Sequence, residues 1–434
     1  DLMIDSLNLI RFLPEDSIFH VTGSLRAEGK GTDFFSKATH LIFDGELKGL
    51  QYKDRYISGI SVEGTYRNHQ ANARMASAYP YLKGTVTFDG NIRKDKIAGM
   101  LIVDMDTLDL HGLNVTEKPL SNSFQLFSEI DTDLKKRHRL DVTLGNWEMA
   151  MEKQKVRPKT LTLHAACNED TTRVSFHAGD LGMVLTGNTD LEALIGKLTE
   201  VSDDFQKQMK KDTVAYLQHL TPLLPELDLQ IEAGHDNPLQ NYLQENDLSF
   251  DRFSFRASTS PQDGVNANGL LLSLMKDTIK IDTVRLSIRQ DSTDGLRYTC
   301  DVTKNRFRQQ KPFTAGVHGR LQTGMADIEA SYRDARGETG LRFGARATKQ
   351  PEGFRLEFFP ENPVLGFMPF ILNKDNYMEI RTLKDISANL KLIGEQNASL
   401  WIHSTETNGK MDELSVEISQ INLEKVSHFA PIPV

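Results

Sequence analysis

The sequence predicts a mostly-β fold, built as a long antiparallel sheet with helices at one place only. Three observations support this prediction. Apolar and polar residues alternate in many short segments, which places every second side chain on one face of a strand. Turn residues separate the segments, and roughly twenty of them follow one another along 434 residues. A single region near the middle has helical periodicity instead.

The first segment, residues 1–188, alternates repeatedly between apolar and polar residues. In one strand the apolar positions are Leu140, Val142 and Leu144, and the next strand repeats the pattern from Leu161 to Cys167. Turn sequences such as Asp89-Gly90-Asn91 punctuate the strands. Alternation is already present at Leu2 and Ile4, and the last residues end abruptly, so we expect the chain to be part of a longer protein.

The second segment, residues 189–247, is predicted to be a helical insertion containing one strand. Thr189 and Glu192 fit a capping box that begins a long helix over about 190–220. The apolar positions of this helix recur at three- and four-residue steps, at Leu194, Leu198, Val201 and Phe205 among others. After a strand at about 227–233, Asn237 is expected to cap a second, shorter helix that ends near residue 246.

The third segment, residues 248–434, returns to strands and continues the sheet. A hairpin is predicted at 291–295, where the sequence is Asp-Ser-Thr-Asp-Gly. Three prolines between Phe359 and Phe370 cannot donate hydrogen bonds to a sheet, so we expect this stretch to be a loop or an edge with exposed aromatic side chains.

Composition excludes several functional classes. The net charge of −9 argues against nucleic acid as a partner. The densest basic cluster, Lys135 to Arg139, lies between two strands and is expected to be a solvated loop. Cys167 and Cys300 both occupy apolar strand positions, which favours buried free thiols over a disulfide. No apolar run is long enough to span a bilayer.

No catalytic or metal-binding motif emerges from the sequence, and we expect neither enzymatic activity nor a cofactor. None of the 12 histidines precedes a glutamate, and there is no Cys-x-x-Cys. The acidic residues near Asp104 lack the turn glycine of a calcium loop. Asp104 and Asp106 instead occupy the polar phase of a strand. The remaining carboxylates are scattered over polar phases.

Several short sequence segments resemble those of a known family. They are residues 31–36 (GTDFFS), 223–227 (LLPEL) with 235–239 (HDNPL), and 360–363 (PENP) with 373–377 (NKDNY). Together with the strand pattern around them, they resemble the large TamB-like (AsmA-superfamily) envelope proteins of Bacteroidota. The likeness covers essentially the whole chain and involves no catalytic signature.

The resemblance implies a periplasmic protein anchored in the inner membrane and folded as a long curled sheet, a β-taco with an open apolar groove. Family members are associated with a barrel partner of the Omp85 type in the outer membrane, and with outer-membrane protein assembly or phospholipid traffic. This chain contains neither the N-terminal membrane helix nor the segment expected to meet the barrel. No functional residue is transferred by motif.

We therefore expect one face of the sheet to contact phospholipid acyl chains. The candidate groove residues are the apolar members of the alternating segments: Phe43, Leu47, Met75, Leu140, Val142, Leu144, Leu163, Phe176, Leu229, Ile231, Phe255, Ile281, Leu286, Ile288, Phe343, Leu414 and Val416. Small residues on the same phase, such as Gly45, Ala71 and Ala345, either leave room for acyl chains or let opposing faces pack closely. The long helix either docks on the sheet or acts as a movable lid.

The leading hypothesis is a bridge-like scaffold for lipid transport or outer-membrane protein assembly. The alternative is a structural or adhesive β-solenoid or sandwich array whose apolar faces are filled by its own side chains. A polysaccharide-active enzyme is a third possibility, disfavoured because no acid pair is evident. An open apolar face would favour the first hypothesis, and a filled interior the second.

Overall fold

The computed structural model describes residues 2–8, 18–31, 33, 35–52, 55–211, 217–292, 295–382, 385–407 and 410–420. The predicted mostly-β fold with antiparallel strands, one long helix and one short helix is confirmed. The chain divides into two compact units. Unit 1 comprises residues 1–194 and 230–248, and unit 2 comprises residues 195–229 and 249–434.

Unit 1 is an antiparallel meander in which most strands pair with the next strand along the chain. Its strands are β1 (Leu2–Asn8), β2 (Ile18–Lys30), β3 (His40–Tyr52), β4 (Arg55–Ile57), β5 (Ile60–Arg67), β6 (Gln70–Tyr79), β7 (Leu82–Arg93), β8 (Lys96–Asp109), β9 (Leu120–Thr132), β10 (His138–Met151), β11 (Lys155–Val156), β12 (Leu161–Cys167), β13 (Thr172–Ala178) and β14 (Leu181–Gly187). The short β4 and β11 lie beside longer pairings, since β3 also pairs with β5 and β10 with β12.

Helices occur between the two runs of strands. The elements there are α1 (Leu191–Lys211), α2 (Leu217–Leu220), a 3-10 turn (Thr221–Leu223), β15 (Leu227–Ala233), α3 (Pro238–Glu245) and β16 (Leu248–Ser249). The predicted strand and second helix are confirmed. The predicted long helix covers α1 and α2, and residues 212–216 within it lie outside the described residues.

The start of α1 differs from the prediction by one residue. Asp190, rather than Thr189, caps the helix, because its Oδ1 accepts a hydrogen bond from the Ala193 backbone N–H at 2.9 Å. Lys136 forms an ion pair with the same carboxylate at 3.2 Å. The hydrogen bond from the Ala193 N–H and the Lys136 ammonium together lower the pKa of Asp190. A carboxylate at the helix N-terminus is favoured by the helix dipole, which explains why Asp190 is the cap.

The α3 cap agrees with the prediction. The Asn237 side chain accepts a hydrogen bond from the Gln240 N–H at 2.8 Å and donates to Asp180 Oδ1 at 2.6 Å. Asp180 in turn accepts from the Asp236 N–H at 3.0 Å, which connects the β13–β14 turn to the start of α3. Hydrogen bonds from Asn237 and from the backbone N–H groups of residues 234–236 lower the pKa of Asp180 against the opposing effect of burial, which is the largest single contribution.

We expect Asn237→Ala to lower the free energy of unfolding by about 2 kcal/mol, because it removes the helix cap and a hydrogen bond to a carboxylate. Urea unfolding followed by circular dichroism measures this change. Asn241→Ala is the matched control, because it makes the same chemical change within α3 away from the cap. Equal effects of the two substitutions would contradict the assigned role of Asn237.

Unit 2 is also an antiparallel meander over most of its length. Its remaining strands are β17 (Arg252–Ser260), β18 (Gly264–Lys276), β19 (Ile279–Ser292), β20 (Gly295–Lys304), β21 (Phe313–Gln322), β22 (Met325–Arg333), β23 (Thr339–Lys349), β24 (Phe354–Leu365), β25 (Met368–Leu372), β26 (Tyr377–Thr382), β27 (Asp385–Gly394), β28 (Ser399–Thr407) and β29 (Lys410–Ser419), with a 3-10 turn at Glu395–Asn397. The predicted hairpin joins β19 to β20, and Ser292 pairs with Gly295.

The proline-rich stretch is not a loop or an edge with exposed aromatics, and that prediction is wrong. Residues 359–365 belong to β24, and the four residues from Pro360 to Pro363 bulge out of the pairing with β23. The bulge explains how prolines are tolerated within the strand, since they need not donate to the ladder there. Phe370 is 3% exposed in β25, so this aromatic is buried.

Candidate functional site

The strand register of unit 1 brings the predicted apolar positions onto one face. Residues directly opposite each other in neighbouring strands share a face, so their side chains form rows across the sheet. The first row is Leu25, Gly45, Val62, Met75, Val86, Val103, Leu126, Leu144, Leu161, Ala178 and Leu181. The second is Ala27, Phe43, Gly64, Ala73, Phe88, Leu101, Ser128, Val142, Leu163, Phe176 and Met183. The third is Gly29, Leu41, Tyr66, Ala71, Gly90, Gly99, Ile130, Leu140, Ala165, Val174 and Leu185.

Unit 2 has the same arrangement from β17 to β24. Its first row is Phe253, Leu271, Val284, Val302, Ala315, Tyr332, Leu341 and Leu365. Its second row is Phe255, Gly269, Leu286, Cys300, Val317, Ala330 and Phe343. Its third row is Ala257, Ala267, Ile288, Tyr298, Gly319, Ile328, Ala345 and Phe358. We call the faces that carry these rows the apolar face of each unit.

The apolar faces are only partly covered by the protein. None of the predicted groove residues belongs to the buried core. Met75, Leu414 and Val416 are exposed, at 42%, 44% and 57%, and the other candidates are half-buried. Neighbours in the same rows are exposed too, including Ile328 at 46%. Contiguous apolar surface of this kind is uncommon on a soluble protein and typically marks a surface that binds lipid or protein.

The rows do not contain every predicted residue. Leu47 pairs with Ile60 and lies outside the three rows of unit 1. Leu229 and Ile231 also lie outside the rows, at alternate positions of β15. Ile281 pairs with Leu274 and is not in a row, because it lies an odd number of residues from Val284, Leu286 and Ile288, on the other phase of β19. The pairing is also irregular at Ser273 of β18. Ser273 adopts a φ of 52°, a left-handed conformation that breaks regular strand geometry. Leu414 and Val416 extend the apolar face onto β29, opposite Ser404 and Ile402.

One part of unit 2 is filled by its own side chains. Phe370, Leu372, Leu390, Leu392 and Ala398 form a buried cluster, and five partly buried neighbours pack against it: Phe358, Leu365, Met368, Leu400 and Ile402. Strand β25 pairs with both β24 and β27, which positions this cluster. This cluster was not predicted from the sequence, although the dense apolar residues from Phe367 to Leu372 were a usable signal.

Small residues on the apolar faces accommodate neighbouring aromatic rings. A Cβ atom added to Gly64 would lie 2.5 Å from the Phe43 ring, and one added to Gly319 would lie 2.8 Å from the Tyr298 ring. Between these glycines and their neighbours there is thus no space for a further group. At these positions the structure favours close packing over the idea that small residues leave room for a ligand.

Helix α1 is amphipathic but has little contact along its apolar stripe. Leu194 is 2% exposed, which fixes the first turn. Val201 is half-buried, whereas Leu198 and Phe205 are 42% and 44% exposed. Because the stripe beyond the first turn is largely exposed, α1 has apolar surface available for contact.

The opposite face of the sheet is polar and carries ion pairs. In unit 1, Asp141 accepts from His164 at 2.6 Å and from Arg139 at 2.8 Å, and the hydrogen bonds from His164 and then Arg139 lower the pKa of Asp141. In unit 2, Glu329 pairs with Arg342 at 3.0 Å. Each unit thus has one hydrated face and one apolar face, as the sequence alternation predicted.

Carboxylates also line a polar cleft of about 1010 Å³ at the strand ends of unit 1. Asp131 is paired with Lys96 at 2.9 Å. Asp133 accepts hydrogen bonds from the backbone N–H groups of residues 135–137, which lower its pKa. A carboxyl group whose pKa is lowered in this way, as that of Asp133 is, is unsuited to act as a general acid. Across the described ranges, no group of three or more potential metal ligands occurs together.

No protein-family model, no curated protein and no solved structure matches this chain. No helix in the described ranges combines the length and the hydropathy that crossing a bilayer requires.

Proposed function

We propose that this chain is part of a bridge-like periplasmic scaffold that carries phospholipid acyl chains along its apolar faces. The observation that supports this proposal is the in-register apolar rows of both units. Most of their members stay half-buried or exposed, whereas others, such as Tyr66, Ala178 and Ala267, are buried. The TamB-like resemblance of the sequence is consistent with it. The same proposal extends to a parent protein anchored in the inner membrane, with an Omp85-type barrel as partner and a role in outer-membrane biogenesis.

The physical basis is the cost of moving hydrocarbon through water. A diacyl phospholipid contains roughly 30 methylenes, and at about 0.8 kcal/mol each their full exposure costs on the order of 25 kcal/mol. A surface lined by Leu, Val, Phe and Met side chains removes most of this cost at each position along it. Such passive contact requires neither a cofactor nor a catalytic group.

A photocrosslinking amino acid at three row positions tests the proposal. We expect phospholipid adducts, detected by mass spectrometry, when it replaces Phe176, Phe255 or Phe343. The matched controls are the adjacent polar-face positions Ser175, Ser254 and Arg342, which should give none. Absence of lipid adducts at all six positions, or equal adducts on both faces, would count against acyl-chain binding.

The second candidate function is a structural or adhesive array with a self-filled interior. The buried cluster around Leu392 favours it for the last strands of unit 2, because there the apolar face is covered by the chain itself. The half-exposed rows from β17 to β23 do not have this cover. A comparison of how much a leucine-to-alanine substitution destabilises each of the two regions separates the candidates.

A further inference from the structure

The loop that joins β20 to β21, residues 305–312, is unusually basic. It contains Arg306, Arg308 and Lys311 and no acidic residue, and all three cationic side chains are exposed. In the described part of the chain, no carboxylate forms an ion pair with any of the three. We call residues 305–312 the basic loop.

The basic loop has a defined conformation. Phe307 and Gln310 exchange backbone hydrogen bonds, with Gln310 N–H donating at 2.9 Å, and form a tight turn around Arg308. The Gln310 side chain donates to the Thr278 carbonyl at 2.8 Å and accepts from the Lys280 N–H at 3.2 Å. These bonds attach the loop to the β18–β19 turn, so its cations are presented from a structured element.

The charges around the basic loop are mostly positive. Asp282, the nearest acid in the neighbouring strand, is already engaged by the Asn305 N–H at 2.6 Å and by Lys280 at 3.6 Å. The charged residues of the β18–β19, β20–β21 and β22–β23 turns and the strand ends beside them are Lys276, Lys280, Lys304, Arg306, Arg308, Lys311, Arg333 and Arg336 against Asp277, Asp282, Asp334 and Glu338. Counted over the turns alone, residues 277–278, 305–312 and 334–338 carry four cations and three acids. The described turn residues at the other end of these strands, 261–263, 323–324 and 350–353, carry two acids and no lysine or arginine.

Aromatic side chains lie next to these cations. Lys304 is buried over the Phe313 ring, with its Nζ 5.7 Å from the ring centroid. The Phe313 ring centroid is 5.5 Å from that of Tyr332, which is 6.2 Å from that of Phe367. Tyr332 belongs to the apolar face of unit 2, so this face ends in aromatic rings directly beside a cationic loop. Aromatic residues flanked by exposed cations are typical of segments at the interface of a membrane.

We propose that the basic loop docks this end of unit 2 on the headgroup surface of an anionic phospholipid membrane. Charge complementarity supports this proposal. The whole chain has a net charge of −9, whereas the basic loop is positive and therefore attracts an anionic partner at this place. The adjoining aromatic rings favour a membrane surface over a nucleic acid, since they continue an apolar face rather than stand free for base stacking. The proposal concerns where the protein meets a membrane and is independent of acyl-chain binding along the rows.

Vesicle flotation tests the docking surface with the full chain. The probes are vesicles of phosphatidylcholine alone and vesicles of equal parts phosphatidylcholine and phosphatidylglycerol. We expect binding to the anionic vesicles only, weakened by salt because the attraction is screened. The triple variant Arg306→Gln, Arg308→Gln, Lys311→Gln should bind about 100-fold more weakly, at about fivefold for each cation near the surface.

The matched control removes three cations from exposed strand positions, with Arg74→Gln, Arg285→Gln and Arg289→Gln. This control should keep wild-type affinity, and circular dichroism checks that both triple variants fold. Equal binding to neutral vesicles, an unchanged affinity of the basic-loop variant, or an equal loss in both triple variants would overturn the proposal. Loop-dependent binding to a DNA duplex without binding to anionic vesicles would also overturn it. Photocrosslinking at Phe255 reports on acyl-chain contact separately and is unaffected by these outcomes.

Discussion

Leu286→Arg is expected to reduce phospholipid transfer between donor and acceptor vesicles by about 100-fold. Leu286 lies at the centre of the second row of unit 2, opposite Gly269 and Cys300, and is half-buried. An arginine in contact with hydrocarbon costs about 3 kcal/mol, which corresponds to about a 100-fold change. A single charged residue in the middle of a row would therefore interrupt passive movement of acyl chains.

The control for this experiment is Ser287→Arg, which adds the same charge to the next residue. Ser287 lies on the polar face, where its Oγ donates to Asn268 Oδ1 at 3.0 Å. Transfer by this variant should stay within about twofold of wild type, because the added charge remains in water. If both variants lose transfer equally while circular dichroism shows normal folding, the apolar face has no role in transfer.

Leu392→Ala is expected to lower the free energy of unfolding by about 3 kcal/mol. Leu392 is 1% exposed and belongs to the buried cluster with Phe370, Leu372 and Leu390. Truncating a fully buried leucine removes its transfer free energy and leaves a cavity. Urea unfolding of the purified chain, followed by circular dichroism, measures the loss.

Leu286→Ala is the matched comparison, because it makes the same truncation on the half-exposed part of the face. We expect it to cost about 1 kcal/mol or less, since a partly solvated side chain gains less from folding and leaves no enclosed cavity. Comparable losses at the two positions would indicate that the face is filled throughout. That result would favour the structural array over the lipid scaffold.

Much of the architecture could be predicted because strand alternation is a local property. Leu140, Val142 and Leu144 occupy one phase of β10, and the pleat of the backbone requires them to share a face. The cap of α3 at Asn237 was also predictable, since the short-range preference of asparagine for this position needs no tertiary context.

Other features depend on residues far apart in sequence and could not be predicted. The capping-box pattern predicted Thr189 as the cap of α1, whereas the structure has Asp190. The ion pair of Asp190 with Lys136, 54 residues away in the sequence, becomes apparent only in the fold. The bulge in β24 lets prolines enter a strand, which local rules disfavour. The three cations of the basic loop lie within six residues of the sequence, but the hydrogen bonds that attach the loop to Thr278 and Lys280 and the aromatic rings beside it become apparent only in the fold.

The sequence by itself determined that each strand has one apolar and one polar side, because side chains point to alternate faces of an extended backbone. Only the tertiary structure decided that the apolar sides align into rows in both units, since register is set by pairing between strands. It alone also decided where those rows stay open and where apolar side chains are buried in the cluster around Leu392. Whether an apolar surface is filled depends on which distant segment packs on it, and a local pattern carries no information about that contact.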